Sequence, residues 1–456
     1  MQTADEKERS TARRGLSEIE FSRLAVIGLI HRLRSNLRAR TVYEHNERVL
    51  YGEVIFQALA ASGAMSFLSV FLVRLGAPNW LVGLYSSLPA LVTIVAVLPV
   101  GAYVQSRRDL VATANWGRFI FRASIGAFAF LPLLPATVAP FVLVIVYSII
   151  SIPSAAINIA VTTIWGSATT PDRRPRMLST RMAIHGLFAA GFGLLAGQWL
   201  DWAPYPLNYQ LLFISAFVAG LASIVTLRRL RLPEQSQDAA PAPEETSRPR
   251  TRVRMREIIP LIRSLPAFRN YAVASFVFRM GLSMPSALYT IYRVRTLGAS
   301  DAWIGVLLTV ERLVGVVAYF ALARLVTRPR FRQHLWLSCL GMALYPITTA
   351  LSPTPEALLL PAFLLGLFSA GVNTMLTNTL YQVSPEDQRP TFVAVDSLLA
   401  NITAFAMPMV GTLLADATNI RLALAVAGSI RIIGGLFFWR LGVGHDQPSA
   451  PADTGT

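Results

Sequence analysis

Apolar runs of about 20 residues recur along the whole chain, separated by short clusters of Arg, Asp, Pro and Gly. A helix needs about 20 apolar residues to cross a hydrocarbon layer about 30 Å thick. Within that layer every backbone polar group must be bonded internally, so only helices or closed barrels can span it. These runs do not alternate polar with apolar residues, which excludes a barrel. Only 14% of the 456 residues are charged and 54% are hydrophobic, against about 25% charged in a soluble chain. The spans read as 51–73, 80–104, 117–136, 139–165, 182–200 and 207–226, then 269–292, 302–323, 333–351, 355–379, 391–415 and 419–440. The expected fold is an all-α integral membrane protein with twelve transmembrane helices in two pseudo-symmetric six-helix bundles.

Charge sets the expected topology. Lys7 is the only lysine, and arginine supplies nearly all of the +16 net charge. That bias fits a GC-rich bacterial genome, so the expected location is the cytoplasmic (inner) membrane. Arg107, Arg108, Arg173, Arg174, Arg176, Arg328, Arg330, Arg332 and Arg389 fall in the even-numbered connections. The odd-numbered ones hold only Arg74, the pair Arg293 and Arg295, and Arg421. The positive-inside rule then places both termini in the cytoplasm, with Arg293 and Arg295 discordant. Arginines beside apolar spans suit lipid headgroups and topology rather than nucleic acid.

The chain divides into an N-terminal cytoplasmic segment (1–50), a six-helix bundle (51–226), a cytoplasmic linker (227–268), a second bundle (269–441) and a tail (442–456). In the first segment Ser17 to Glu20 reads as a capping box opening an amphipathic helix. The linker alternates Pro233, Pro241, Pro243 and Pro249 with polar residues, too polar to bury. The single cysteine, Cys339, excludes an internal disulfide, and no cleavable leader is evident.

The halves repeat one another. Setting Asn158 against Asn373 gives an offset of 373 − 158 = 215, at which Thr162 meets Thr377, Arg174 meets Arg389, Pro175 meets Pro390 and Asp201 meets Asp416. Leu75-Gly76-Ala77 matches Leu297-Gly298-Ala299 at an offset of 222, and Gly83 then meets Gly305. With its six-plus-six layout and the Pro266 to Tyr271 opening of span 7, the chain resembles the major facilitator superfamily from about 51 to 441. That family's motif after span 2 has the counterpart Gly101 to Arg108, keeping Gly101, Arg107 and Arg108 but holding Gln105 where the family has aspartate. Gly193 and Gly197 are followed by no proline, so the antiporter signature of span 5 is incomplete. The resemblance implies alternating access, a solute site near the midplane lined by spans 1, 4, 7 and 10, and a monomer. Pro89, Pro153, Pro285, Pro346, Pro361 and Pro408 are expected to bend their helices.

Ionisable groups inside a membrane are functional candidates by default. Arg279 and Glu311, midway along spans 7 and 8, read either as a cavity-facing pair for an anionic group or a proton, or as a structural ion pair, with Arg312 as a competing partner. Asp396 and Arg181 align across the repeat (396 − 215 = 181) and suggest a bridge between bundles, or two separate interfacial charges. Glu53 and Gln57 share a face of span 1 and, with Asn158 and Asn373, are candidate solute contacts. His185 is a candidate titrating group, while Arg118 and Arg122 read as topology anchors. No Walker motif, metal-ligand cluster or nucleophile motif is present, so neither an enzyme nor a cofactor is expected. The expected function is a secondary transporter of a small organic solute, proton-coupled through Glu311 or Asp396, with membrane lipid and that solute as its partners. The alternative is a transporter-like sensor or lipid-handling protein without solute turnover.

Overall fold

The computed structural model describes residues 41–107, 109–170, 172–231, 265–325, 331–386 and 388–443. The described residues form twelve helices, several of them interrupted, with no strand among them. The first bundle holds α1 (Val42–Arg74), α2 (Asn79–Gln105), α3 (Leu110–Ala127), α4 (Ala139–Ile149 and Ser151–Ala168), α5 (Arg174–Trp202) and α6 (Leu207–Leu227). The second holds α7 (Pro266–Ser283, resuming as Ser286–Ile291), α8 (Asp301–Leu325), α9 (Phe331–Leu351), α10 (Leu359–Val383), α11 (Arg389–Ala417) and α12 (Ile420–Arg440). Ten of the twelve are long and apolar enough to cross a membrane. The other two, α3 and α7, are interrupted after 18 residues and carry Arg118 and Arg122, and Arg269 and Arg279.

The largest boundary difference from the sequence is at α1, which starts at Val42 rather than at residue 51. Polar residues there build the helix start. Thr41 accepts the Glu44 N–H at 3.2 Å as an N-cap. Asn46 donates to the carbonyls of Ala168 and Arg231 and accepts from the Arg231 N–H, tying α1 to the ends of α4 and α6. Helices α5 and α11 likewise begin in the basic loops, each with proline at its first turn, Pro175 and Pro390. The amphipathic segment before Thr41, most of the linker and Arg108 lie outside the described residues.

The repeat is structural as well as textual. Gly76 and Gly298 both adopt left-handed φ, 84° and 63°, to turn the chain from α1 into α2 and from α7 into α8. A π-helical bulge at Ala61–Met65 interrupts α1, and α7 breaks at Met284 and Pro285. Adding 222 to Ser62 and Gly63 gives those two positions, so both halves bend at one place. Proline explains the bend in α7, whereas α1 achieves it without proline.

The bundles meet along two pseudo-equivalent seams, α5 against α8 and α2 against α11. Small residues let the backbones approach. A Cβ on Gly197 would stand 2.6 Å from the Asp301 carbonyl oxygen and 3.0 Å from Gly305 Cα. In the other seam a Cβ on Gly83 would stand 2.7 Å from Thr412 Oγ1. These are the same contact twice, since 83 + 222 = 305 and 197 + 215 = 412. Gly197→Ala is therefore expected to lose about 1–3 kcal/mol of stability by overpacking. Gly191→Ala, on the same helix with open space around it, should be neutral. Equal melting temperatures for the two variants in detergent would contradict this packing.

Candidate functional site

The first bundle hides one carboxylate among three polar partners. Glu53 on α1 is fully buried, and Arg118 of α3 reaches its Oε1 at 2.6 Å while Arg181 of α5 reaches its Oε2 at 3.0 Å. Ser223 of α6 donates to Oε1 at 2.8 Å, and Arg181 also donates to the Gln57 amide oxygen at 2.5 Å. Trp165 stacks on the Arg181 guanidinium 4.7 Å away. Arg118 is thus no topology anchor. Its guanidinium is 7% exposed and pinned to Glu53, because a carboxylate removed from water needs its charge answered locally. Arg122, one turn on, is buried too, against Gly220.

The second bundle carries the same device with the charges exchanged. Arg279 of α7 meets Asp396 of α11 at 3.0 Å and donates to the Asp396 carbonyl at 3.1 Å. The pair is the counterpart of Gln57 and Arg181, since 57 + 222 = 279 and 181 + 215 = 396. Two sequence expectations are corrected here. Arg279 pairs with Asp396 rather than Glu311, and Arg181 and Asp396 do not bridge the bundles, because each has a partner nearer within its own bundle.

Polar contacts between the bundles gather in the half of the molecule away from the linker, and there the pseudo-twofold symmetry returns. Arg74, ending α1, grips Asp301 at the start of α8 at 2.8 Å, and Tyr209 and the Asp201 carboxylate hold the same turn at 3.0 and 2.9 Å. Arg295, ending α7, grips Asn79 at the start of α2 at 2.6 Å and bonds the Ala77 carbonyl, while Asp416 takes the Asn79 amide at 2.6 Å. Residues 79 and 301 are equivalent at offset 222, and 201 and 416 at offset 215. Arg295 therefore belongs to a polar contact between the bundles, which accounts for half of the discordant outer pair. Nearer the midplane Arg312 crosses from α8 to the Ala189 carbonyl and to Ser66 Oγ, both at 2.7 Å.

Beneath this closed end lies a cavity of about 350 Å³ between α1 and the second bundle. Glu311, Arg293, Arg431, Tyr289 and Tyr345 give it its polar lining. Arg431, in the middle of α12, is 1% exposed and donates to the carbonyls of Gly281, Met342 and Leu282 and to the Tyr289 hydroxyl. Arg293 donates to Tyr345 at 2.8 Å. Arg293 and Arg312 are the charges acting on Glu311. A second cavity of about 260 Å³, within the first bundle, is neutral, with Asn158, Ser151, Ser154, Thr93 and Tyr147 on its wall. The consecutive α1 residues Met65 and Ser66 line one cavity each.

Of the sequence candidates, then, Glu311 and Asn158 face cavities, while Glu53, Gln57, Arg181, Arg279 and Asp396 form the buried pairs. Asn373, like Asn158, is exposed on an otherwise apolar helix, as are Thr162 and Thr377 at matching positions. Such amides are costly against lipid. His185 is half-buried near Arg181 and Arg312. Gln105 ends α2 exposed, beyond Gly101, and Arg107 packs over Tyr103 at 4.3 Å. Arg431, Tyr289 and Tyr345 were missed. A lone arginine inside the apolar run from Leu422 to Phe438 was the available signal for the first.

Glu53→Gln tests the buried cluster. It leaves Arg118 and Arg181 without their counter-ion, so a loss of about 3–5 kcal/mol is expected. An unfolding temperature equal to the wild type's would contradict the pairing.

The chain matches the model of the Major Facilitator Superfamily over residues 50–355 and 271–455. Its fold is similar to that of the nucleoside transporter NupG, at 11% identity over 88% of this chain and 100% of that one, with a TM-score of 0.67. It is also similar to a bacterial homologue of the iron transporter ferroportin in an inward-facing state, at 15% identity over 87% and 98%, TM-score 0.66. A third, a bacterial homologue of the lysosomal transporter Spinster, inward-facing and unoccupied, shares 11% identity over 89% and 98%, TM-score 0.65. At these identities the likeness concerns the fold. No protein of curated function matches the sequence. The chain belongs to the Major Facilitator Superfamily: it is a multi-pass membrane transporter.

Proposed function

We propose that the chain is a secondary transporter that carries a small organic solute by alternating access, with the cavity around Arg293, Glu311 and Arg431 as its binding site. One observation carries this reading. A polar, charged cavity lies beside the seam between two bundles that are joined by polar contacts on one side of it and present exposed amides on the other. Rocking the bundles about the α5–α8 and α2–α11 seams would open the joined side and close the other. The basic loops favour a cytoplasmic linker side, and closure of the far end then supports an inward-facing reading of this conformation. The charged lining favours solute transport over a lipid-handling role. Absence of a phosphate-cradling motif leaves an ion gradient or the solute's own gradient as the driving force.

Glu311 is the group proposed to couple protons. Arg293 of α7, Arg312 of α8, Tyr345 of α9 and Arg431 of α12 surround it, and it has no ion pair within its own helix layer of the kind that fixes Asp396 to Arg279. Glu311→Gln in proteoliposomes is expected to abolish pH-gradient-driven accumulation while leaving solute exchange at equal pH. Accumulation that stays at the wild-type level would remove Glu311 from the coupling.

The gate itself is testable by a reversible lock. Ser69 Oγ of α1 and Thr290 Oγ1 of α7 lie 3.2 Å apart across the closed side. Ser69→Cys with Thr290→Cys, in a Cys339→Ser background, should form a disulfide on oxidation, because the two side-chain tips already meet. Exchange should fall by about tenfold or more, because the cavity then never opens to that side, and return with reductant. Full exchange in the oxidised protein would contradict alternating access.

A further inference from the structure

The charge balance of the cavity names the class of its occupant, an inference that rests on the reading of this cavity as the transport site. Three guanidinium groups surround it and one carboxylate answers them. Arg293 and Arg431 line the cavity, and Arg312 bonds Ser66, which lines it as well. Arg431 is bonded to three carbonyls and a phenol, Arg312 to a carbonyl and a hydroxyl, and Arg293 to a phenol. Those partners solvate a positive charge without neutralising it. With Glu311 ionised the count is 3 − 1 = +2, inside a region where an unanswered charge is expensive. Arg279 has Asp396 and Arg74 has Asp301. The first bundle buries an equal excess, Arg118, Arg122 and Arg181 around Glu53 alone, and what sets Arg293 and Arg431 apart is the open space beside them, where an anion fits.

Arg293 also retains binding capacity. Only one of its terminal nitrogens, Nη2, is engaged, with Tyr345, which leaves Nη1 to donate a charge-assisted hydrogen bond to an oxygen of a carboxylate or phosphate. We infer that the cavity binds a water-soluble organic anion of metabolite size, its carboxylate or phosphate held by Arg293 in the field of Arg312 and Arg431. The volume of about 350 Å³ lies at the small end for ligand pockets, which span about 300–1,000 Å³. Glu311 lines the same cavity and would repel the anion, so a neutral residue there should strengthen binding.

The test uses the full chain in phosphatidylcholine nanodiscs, with thermal stabilisation and calorimetry as readouts. The probes are succinate, gluconate and glucose 6-phosphate, set against glucose and putrescine at the same ionic strength. At least one of the three anions should bind, about tenfold or more weakly in Arg293→Gln, with part of the loss recovered in Arg293→Lys. Glu311→Gln should bind the same anion several-fold more tightly. If Arg293→Gln fails to fold, the Glu311→Gln affinity decides alone. Binding of glucose or putrescine with none of the anions would overturn the assignment. So would an anion affinity unchanged in Arg293→Gln, stabilisation by phosphatidylglycerol with none by the soluble anions, or no response to any probe. A neutral solute carried across vesicles would overturn the anion assignment and leave the transport reading intact. An anion that binds through Arg293 yet never crosses would uphold the site and overturn transport.

Discussion

A charge inside a bilayer must find its answer within the protein, and the architecture of this chain follows from how each such charge is answered. Water is absent from the hydrocarbon core, so an arginine or carboxylate there is paired, solvated by carbonyls, or set against a cavity. The first bundle closes Glu53 between Arg118 and Arg181, and the second closes Arg279 onto Asp396. Each pair joins helices of one bundle, which makes each bundle a rigid body. Arginines that cross between bundles, Arg74, Arg295 and Arg312, sit at the closed end or next to it. Arg293 and Arg431 have no acid within their bonding shells, and they line the cavity.

The duplication explains how one end can be closed securely and still open. The gate is assembled from two half-gates, each an arginine at the end of one helix gripping the first residue of a helix in the other bundle, with an aspartate from a third helix beneath. Arg74 is partly exposed in its half-gate, although Asp301 is buried. Partly exposed pairs are weaker than fully buried ones, which suits contacts proposed to break during transport. The buried pairs inside the bundles are costlier to break, and nothing in a rocking motion requires them to.

Much of this was legible in the sequence, and the parts that were not have physical reasons. Twelve apolar runs and the two repeat offsets needed only spacing. The same offsets pointed to Arg181 and Asp396 as special, and both are buried and paired. Partner choice was not legible. Arg181 lies on the same face of its bundle as Glu53, 128 residues earlier, and no local pattern records that proximity. Arg118 was misread because an arginine near a span end usually marks the interface. The span in fact starts at Leu110, which puts Arg118 two turns deep. Arg293 was read as a loop residue for the converse reason, since α7 continues as a π-turn through Thr296.

The central claim is that the two ends of the molecule open reciprocally about rigid bundles. Spin-label distances test it without a known solute. One pair of labels, at Ala136 and Thr354, reports the closed end, and another, at Arg228 and Leu441, reports the linker end. All four positions are exposed, and each pair joins the two bundles. Removing both half-gates with Arg74→Gln and Arg295→Gln should shift the first pair to longer distances and the second to shorter ones, in the same proportion of molecules. Distances that lengthen at one end and stay fixed at the other would show local fraying of the gate, and would contradict alternating access by rocking.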